Sequence, residues 1–223
     1  MRIRTGSRSY PTSAARPRAE ARALIPRILG RPLRGDANAL RRSAADQLQL
    51  SPGDSVLEIG CGDGRLLLEL VARTPRGTSV VGIEPDEWML RHAIARTRSL
   101  IERGRVSVLQ TESSDLSGLP NAHFDKACAV DVIYFWSNPA RDLAEIRRVL
   151  RPDGRLLLGY AASNAPAVSR GDELVRPAEE VEGWLREAGF VGVSSVRSRA
   201  GDGREALTWT GGSRAADPPV PAS

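Results

Sequence analysis

The chain has 223 residues, enough to bury one substantial core and short for two domains, and its apolar content of 41% is that of an ordinary globular protein. No run of about 18 apolar residues occurs, which excludes a transmembrane helix. The net charge of +5 does not mark a nucleic-acid enzyme: residues 1–35 hold nine Arg against one acid, so residues 36–223 carry 23 basic and 26 acidic side chains, a net −3, whereas a basic face is expected on the folded domain itself.

The first 35 residues form a basic, flexible segment, of which residues 1–20 are read as a tail, a transit peptide or an over-extended start; no apolar stretch follows the first arginines, so a secretory signal is not expected. Asp36 or Asn38 can cap a helix to about Leu50, with Leu40, Ala44 and Leu48 on one face. After the turn Ser51-Pro52-Gly53-Asp54, Val56–Ile59 reads as a buried strand, residues 60–64 as a glycine loop and Arg65–Arg73 as a helix. The alternation continues with a strand at Ser79–Ile83, a helix from Asp86 to about Arg103, and strands at Val106–Leu109 and Lys126–Val130. Asn138 then caps a helix with Pro139 at its first position. Pro152-Asp153-Gly154 is a turn before a strand at Leu156–Tyr160. A helix near 177–188 precedes two strand-like runs, Val191–Val196 and Ala206–Trp209, too close together for a crossover helix and therefore an antiparallel hairpin. Short apolar strands alternating with helices predict an α/β fold: a Rossmann-like seven-stranded sheet with helices on both faces and an antiparallel C-terminal hairpin. The domain is expected over 36–210, with 211–223 a disordered tail.

Chemistry concentrates at the ends of these strands. In Glu58-Ile59-Gly60-Cys61-Gly62-Asp63-Gly64 a strand delivers an acid and three alternate glycines to a helix start. Glycines let the backbone turn tightly and let a ligand approach, and free N–H groups at a helix start can receive a carboxylate. A strand–helix turn without a ligand is the alternative. Glu84 ends the second strand, 20 residues after Gly64, where an acid can accept hydrogen bonds from both ribose hydroxyls of a nucleoside; a helix-capping acid is its alternative. After the third strand, Glu112 or Asp115 could touch an adenine edge, with Glu112 preferred over a solvated loop.

VLEIGCGDG (56–64), GIEPD (82–86), FDKACAVDVIYFW (124–136) and EIRRVLRPDGRLLLGY (145–160) resemble the motifs of class I S-adenosylmethionine-dependent methyltransferases, over about residues 36–210, and look most like the small-molecule branch related to ubiquinone and menaquinone methyltransferases. The resemblance implies S-adenosyl-L-methionine as cofactor. It implies a methionine part lined by Gly60, Gly62 and Gly64, with Glu58 and Cys61 in the same motif. It further implies a ribose held by Glu84, an adenine flanked by Pro85 and Met89, and Glu112 with Ser113 beside the adenine. Thr111-Glu112 departs from the Gly-Asp of many members. Asp131 stands where members contact the methionine moiety or the substrate.

The implied reaction is an in-line displacement onto a small-molecule acceptor. The donor is already activated, so alignment and desolvation can supply much of the acceleration. Tyr134, Phe135 and Trp136, three of ten aromatics in the chain, follow Asp131 at the sheet edge where open α/β folds bind ligands. Tyr134 and Trp136 are candidate acceptor contacts, with core packing as the alternative. His92 reads as exposed or capping and His123 as distal, so no catalytic residue is assigned. Cys61 and Cys128 are too few for a zinc site or a disulfide framework and fit reduced thiols in the cytoplasm. No metal, nucleic-acid or membrane partner is expected, and the protein is read as a monomer or homodimer. The alternative function is a binding protein of the same fold without methyl transfer, used for cyclisation or regulation. A nicotinamide oxidoreductase is disfavoured, since its loop is G-x-G-x-x-G.

Overall fold

The computed structural model describes residues 37–74, 79–163, 176–199 and 206–215. Asp36 as a cap, the basic N-terminal segment, the Leu40 side chain, residues 164–175 and the residues from 216 on lie outside the described residues.

In chain order the elements are α1 (Ala37–Gln47), β1 (Ser55–Ile59), α2 (Arg65–Arg73), β2 (Ser79–Ile83), α3 (Glu87–Glu102), β3 (Val106–Leu109), β4 (Phe124–Val130), a short 3-10 turn (Ile133–Phe135), α4 (Pro139–Val149), β5 (Leu150–Ser163), β6 (Arg176–Pro177), α5 (Ala178–Glu187), β7 (Phe190–Arg199) and β8 (Ala206–Arg214). The main sheet runs β3-β2-β1-β4-β5-β8-β7, with the two-residue β6 added beside β5. β1 to β5 are parallel, and β8 is antiparallel to both β5 and β7. This is the expected seven-stranded α/β sheet with its C-terminal hairpin.

Side-chain alternation along the strands feeds two cores. Leu57, Ile59, Val81, Ile83, Ala127, Leu156 and Leu158 pack with Leu143 and Ile146 of α4 and Val181 and Leu185 of α5. On the opposite face Val56, Val80, Cys128 and Leu157 pack with Ala44, Ala45 and Leu48 of α1, Leu67 and Leu70 of α2, and Leu90 and Ala93 of α3. Each helix contributes one apolar stripe, as a surface helix covering a sheet must. Predicted starts held where a local signal defines them. Asp86 caps α3 by accepting from the Met89 N–H at 2.9 Å, and Asn138 caps α4 by accepting from the Arg141 N–H at 3.2 Å.

β4 and β7 are longer than the sequence reading, at Phe124–Val130 and Phe190–Arg199, and three further differences have a local cause. Asn38 lies inside α1, which stops at Gln47 rather than Leu50; Gln49 there takes φ 50°, a left-handed conformation that ends a helix. The Pro152-Asp153-Gly154 turn is a bulge within β5: the register jumps from Phe124↔Leu150 to Lys126↔Arg155, with Asp153 at φ 63°. Residues 211–214 belong to β8, not to a tail, because Gly211 pairs with Leu157 and Ser194, and Gly212 with Leu156. Their small-residue composition reads as a tail, yet it suits a strand held between two neighbours.

Candidate functional site

The parallel registers place Ile59, Ile83 and Leu109 side by side, with Ala129 beside Ile59. The residues that follow therefore leave the sheet along one edge: the glycine loop, Glu84, the 110–115 turn and Asp131. This is the carboxyl edge, where open α/β sheets bind ligands.

The loop keeps all three glycines in the left-handed region, at φ 68°, 54° and 81° for Gly60, Gly62 and Gly64, which L-residues adopt only with strain. Their neighbours differ. A Cβ on Gly60 would lie 2.6 Å from Val132 Cγ2, and one on Gly64 would lie 3.0 Å from the Ala93 Cα of α3. Gly64, expected to line a ligand, is thus the close contact between loop and helix. A Cβ on Gly62 would meet only Met89 Cε, at 3.5 Å, so Gly62 is the glycine with space above it. Cys61, counted among the binding residues, turns inward: its N–H donates to the Ile83 carbonyl at 2.9 Å, and its Sγ would lie 3.0 Å from a Cβ on Gly82. That close approach accounts for the glycine in the Gly82-Ile83-Glu84 run. Asp63 points outward to Arg96 (2.9 Å) and Arg65 (3.1 Å), and Arg96 Nε also donates to the Asp63 carbonyl. The loop is thereby tied to α3 on its outer side.

Behind the loop stand two buried acids. Glu58 pairs in register with Gly82, and Glu84 follows two residues later on the same face of β2. Glu84 accepts from the Gly62 N–H at 2.9 Å and the Asp86 N–H at 3.0 Å. It fixes the loop with one oxygen and the start of α3 with the other, and each oxygen keeps a further lone pair. Glu58 is 4% exposed, and its Oε2 has no hydrogen-bond partner among the described residues. Burial pushes the Glu58 carboxyl well above the usual glutamate range, the nearby Glu84 adds to this, and Arg41 opposes it. Burial also raises Glu84, against the two N–H groups that favour its ionised form. A buried carboxylate with an open oxygen is rare enough to require a reason, and a cationic ligand would supply one.

The sequence reading missed Arg41. Its guanidinium, part-buried on α1, feels the attraction of Asp63 and Glu58 and the repulsion of Arg65 and Arg96. The available signal was position: Arg41 precedes the buried Ala44, Ala45 and Leu48 at spacings of three, four and seven, which places it on the inward face.

The other expected site residues divide. Met89 is 9% exposed beside Gly62. Pro85 is half-buried, and its carbonyl accepts from Gln110 Nε2 at 3.3 Å. Glu112 keeps its bonds within its own turn, where its carbonyl accepts from the Asp115 N–H at 3.1 Å. Ser113 instead donates its hydroxyl to Asp142 Oδ1 of α4 at 2.5 Å. The unusual Thr111 is buried and donates to the Asp115 carbonyl at 2.6 Å, closing that turn. Asp131 sits at φ 56° and donates its N–H to the Gly159 carbonyl at 2.8 Å. A strained conformation at a strand end is common at functional sites. Tyr134 is part-buried against the core, and Trp136, at 6% exposure, lies within the cluster that contains Leu143 and Ile146. For Trp136 the packing alternative describes what is found. His92 Nδ1 lies 2.7 Å from the Trp88 carbonyl on an exposed helix face, and His123 precedes β4 at the opposite edge of the sheet.

Among the described residues no group of three His, Cys, Asp or Glu stands where it could hold a metal, and no helix is long and apolar enough to cross a membrane. Parallel strands in the order 3-2-1-4-5, a left-handed glycine loop, a buried acid just past β2 and a terminal antiparallel hairpin define a Rossmann-like domain. Residues 57–158 match the methyltransferase domain family. The chain is 30% identical over 161 residues to the O-methyltransferase resE of Aspergillus sclerotiorum, covering 68% of this chain and 60% of that protein. It is 29% identical over 173 residues to the ubiquinone biosynthesis O-methyltransferase of Pseudomonas aeruginosa, covering 70% and 72%. The fold is similar to the crystal structure of the [4+2]-cyclase SpnF, with a TM-score of 0.71 at 20% identity over 93% of this chain and 98% of that one. In sequence over residues 57–158, and in fold, the chain is similar to class I S-adenosylmethionine-dependent methyltransferases. It spans between 34% and 60% of the length of five curated relatives it matches.

Proposed function

We propose that this protein transfers the methyl group of S-adenosyl-L-methionine to a hydroxyl oxygen of a small molecule, in the cytoplasm. The donor half of this reading rests on one observation: two carboxylates, Glu58 and Glu84, are buried behind an open glycine, and one of their oxygens has no partner among the described residues. The acceptor half rests on the O-methyltransferase names of the relatives. The two free, buried cysteines fit a reducing compartment.

When bound, the donor supplies an electrophilic methyl group on a sulfonium. The protein's residues bind and orient. The free lone pairs of Glu84 accept from the ribose hydroxyls, and its existing bonds to Gly62 and Asp86 hold it at that height. Glu58 offers its open oxygen to the amino-acid end, where the donor's positive charge would favour the ionised carboxylate against the burial that raises its pKa. Met89 and Pro85 supply apolar contact to the base. Asp131 and Tyr134 follow β4 at the same carboxyl edge of the sheet and are the residues this reading assigns to the acceptor. Aligning donor and acceptor is itself a large part of the acceleration in such displacements.

Titration calorimetry with S-adenosylhomocysteine, followed by incubation with methyl-labelled donor and a panel of phenols and other hydroxylated metabolites, tests both halves. Micromolar binding and a labelled ether product are expected. No binding would overturn the donor reading. Binding with no labelled product from any hydroxylated acceptor would overturn the transfer reading.

A further inference from the structure

The turn after β3 is held at both ends. At its start, Gln110 Nε2 donates to the Pro85 carbonyl, and the Leu109 carbonyl accepts from the Glu84 N–H at 3.1 Å, so it begins beside the ribose acid. At its far end α4 grips it with four side chains. Asp142 accepts from the Ser113 hydroxyl, Arg141 Nε donates to the Ser114 carbonyl at 3.1 Å, Glu145 Oε2 accepts from the Leu116 N–H at 2.9 Å, and an Arg148 nitrogen donates to the Leu116 carbonyl at 2.7 Å. Arg141, Glu145 and Arg148 follow helical spacing along one side of α4.

Asp142 is different from the other three. It is 4% exposed and shares the spacing of the buried Ile146 and Val149, so a carboxyl occupies a place on the apolar stripe. A buried acid there is costly, and a leucine or alanine would serve packing better. The one side-chain bond that compensates it runs to Ser113, next to Glu112. Helix capping does not require the acid, because Asn138 already caps α4.

We infer that Asp142 is a positioning residue of the donor site: through Ser113 it sets the 110–115 turn at the height where its backbone and Glu112 meet the adenine. This rests on the donor-binding reading above. Asp142 touches neither donor nor acceptor and acts through the turn.

The test is calorimetry on the full chain with two ligands, S-adenosylhomocysteine and 5′-methylthioadenosine, the second carrying the nucleoside without the amino acid. The variants are Asp142→Ala, Asp142→Asn, Ser113→Ala and the double alanine. Each single alanine is expected to raise Kd for both ligands by about tenfold, the scale of one lost charge-assisted hydrogen bond. The double variant is expected to be no weaker than either single one, because both remove the same link. Asp142→Asn, whose amide oxygen still accepts from Ser113, is expected to recover most of the affinity. Three results would overturn the inference: wild-type affinity in Ser113→Ala, additive losses in the double variant, or a loss for S-adenosylhomocysteine without one for 5′-methylthioadenosine. If Asp142→Ala does not fold, Ser113→Ala carries the test alone, with its melting curve as the control. Failure of the unaltered protein to bind either ligand would instead remove the donor reading, and this inference with it.

Discussion

Glu84 joins two elements through its two oxygens and keeps lone pairs for a ligand. Removing it loses charge-assisted bonds on both sides, each worth about 1.5–3 kcal/mol. Glu84→Ala is therefore expected to weaken S-adenosylhomocysteine binding by roughly ten- to a hundredfold, measured by calorimetry. Glu58 makes a pH prediction. Its folded pKa is raised, so the native state holds its proton more tightly than the unfolded chain. Its contribution is then fully present below the unfolded glutamate value and is lost as pH rises through the folded one. Glu58→Gln, which cannot ionise, is expected to gain melting temperature relative to the parent as pH rises from 5 to 8. A difference that stays flat across that range would contradict a raised Glu58. At this scale the left-handed glycines were readable from the sequence, because residue type and spacing dictate their backbone, whereas the two bonds by which Glu84 ties the loop to the start of α3 were not. Core packing of Trp136 stood there only as an alternative, and Cys61 was placed with the binding residues, since which face of the sheet a side chain meets decides both. Arg41 was readable in principle, from the spacing of α1, and was overlooked because an arginine on an inward face runs against the usual pattern.

Among the elements, α2 is set against α3 through the contact of Gly64 with Ala93. Gly64→Ala combines a left-handed backbone with a Cβ that has no room, and is expected to destabilise the protein by about 1–3 kcal/mol. Denaturant unfolding would measure it, with a parallel drop in donor affinity as the loop shifts. On the other side of the sheet, Tyr160 is fully buried, with its hydroxyl 2.7 Å from Thr210 Oγ1, and Ser195 Oγ lies 2.7 Å from the same atom. Tyr160→Phe is expected to cost about 1 kcal/mol of stability and to leave S-adenosylhomocysteine binding unchanged, because this network lies with α5 and not with the glycine loop. Most element positions followed from apolar periodicity and from caps such as Asp86 and Asn138. The β5 bulge escaped because proline, aspartate and glycine in a row signal a turn whether or not a neighbouring strand absorbs the extra residues, and the end of β8 because Gly211-Gly212-Ser213 reads as a tail until two neighbouring strands hold it.

For the whole molecule, the hairpin was expected but the order of its strands was not, since apolar spacing within β7 and β8 is silent on which one pairs with β5. The answer, β5-β8-β7, makes β8 internal, with partners on both sides. Deleting the chain from Ala206 onward is expected to abolish the folded state rather than trim it, seen as loss of a cooperative melting transition. A truncated protein that melts cooperatively near the parent temperature would contradict this. The internal place of β8 also bears on biosynthesis. A nascent chain can pair β1 through β5 while still attached to the ribosome, but β7 must wait for a neighbour that emerges after it. The sheet therefore closes from its end inward as a late event, and until it does the flank of β5 is an unpaired edge open to the wrong strand.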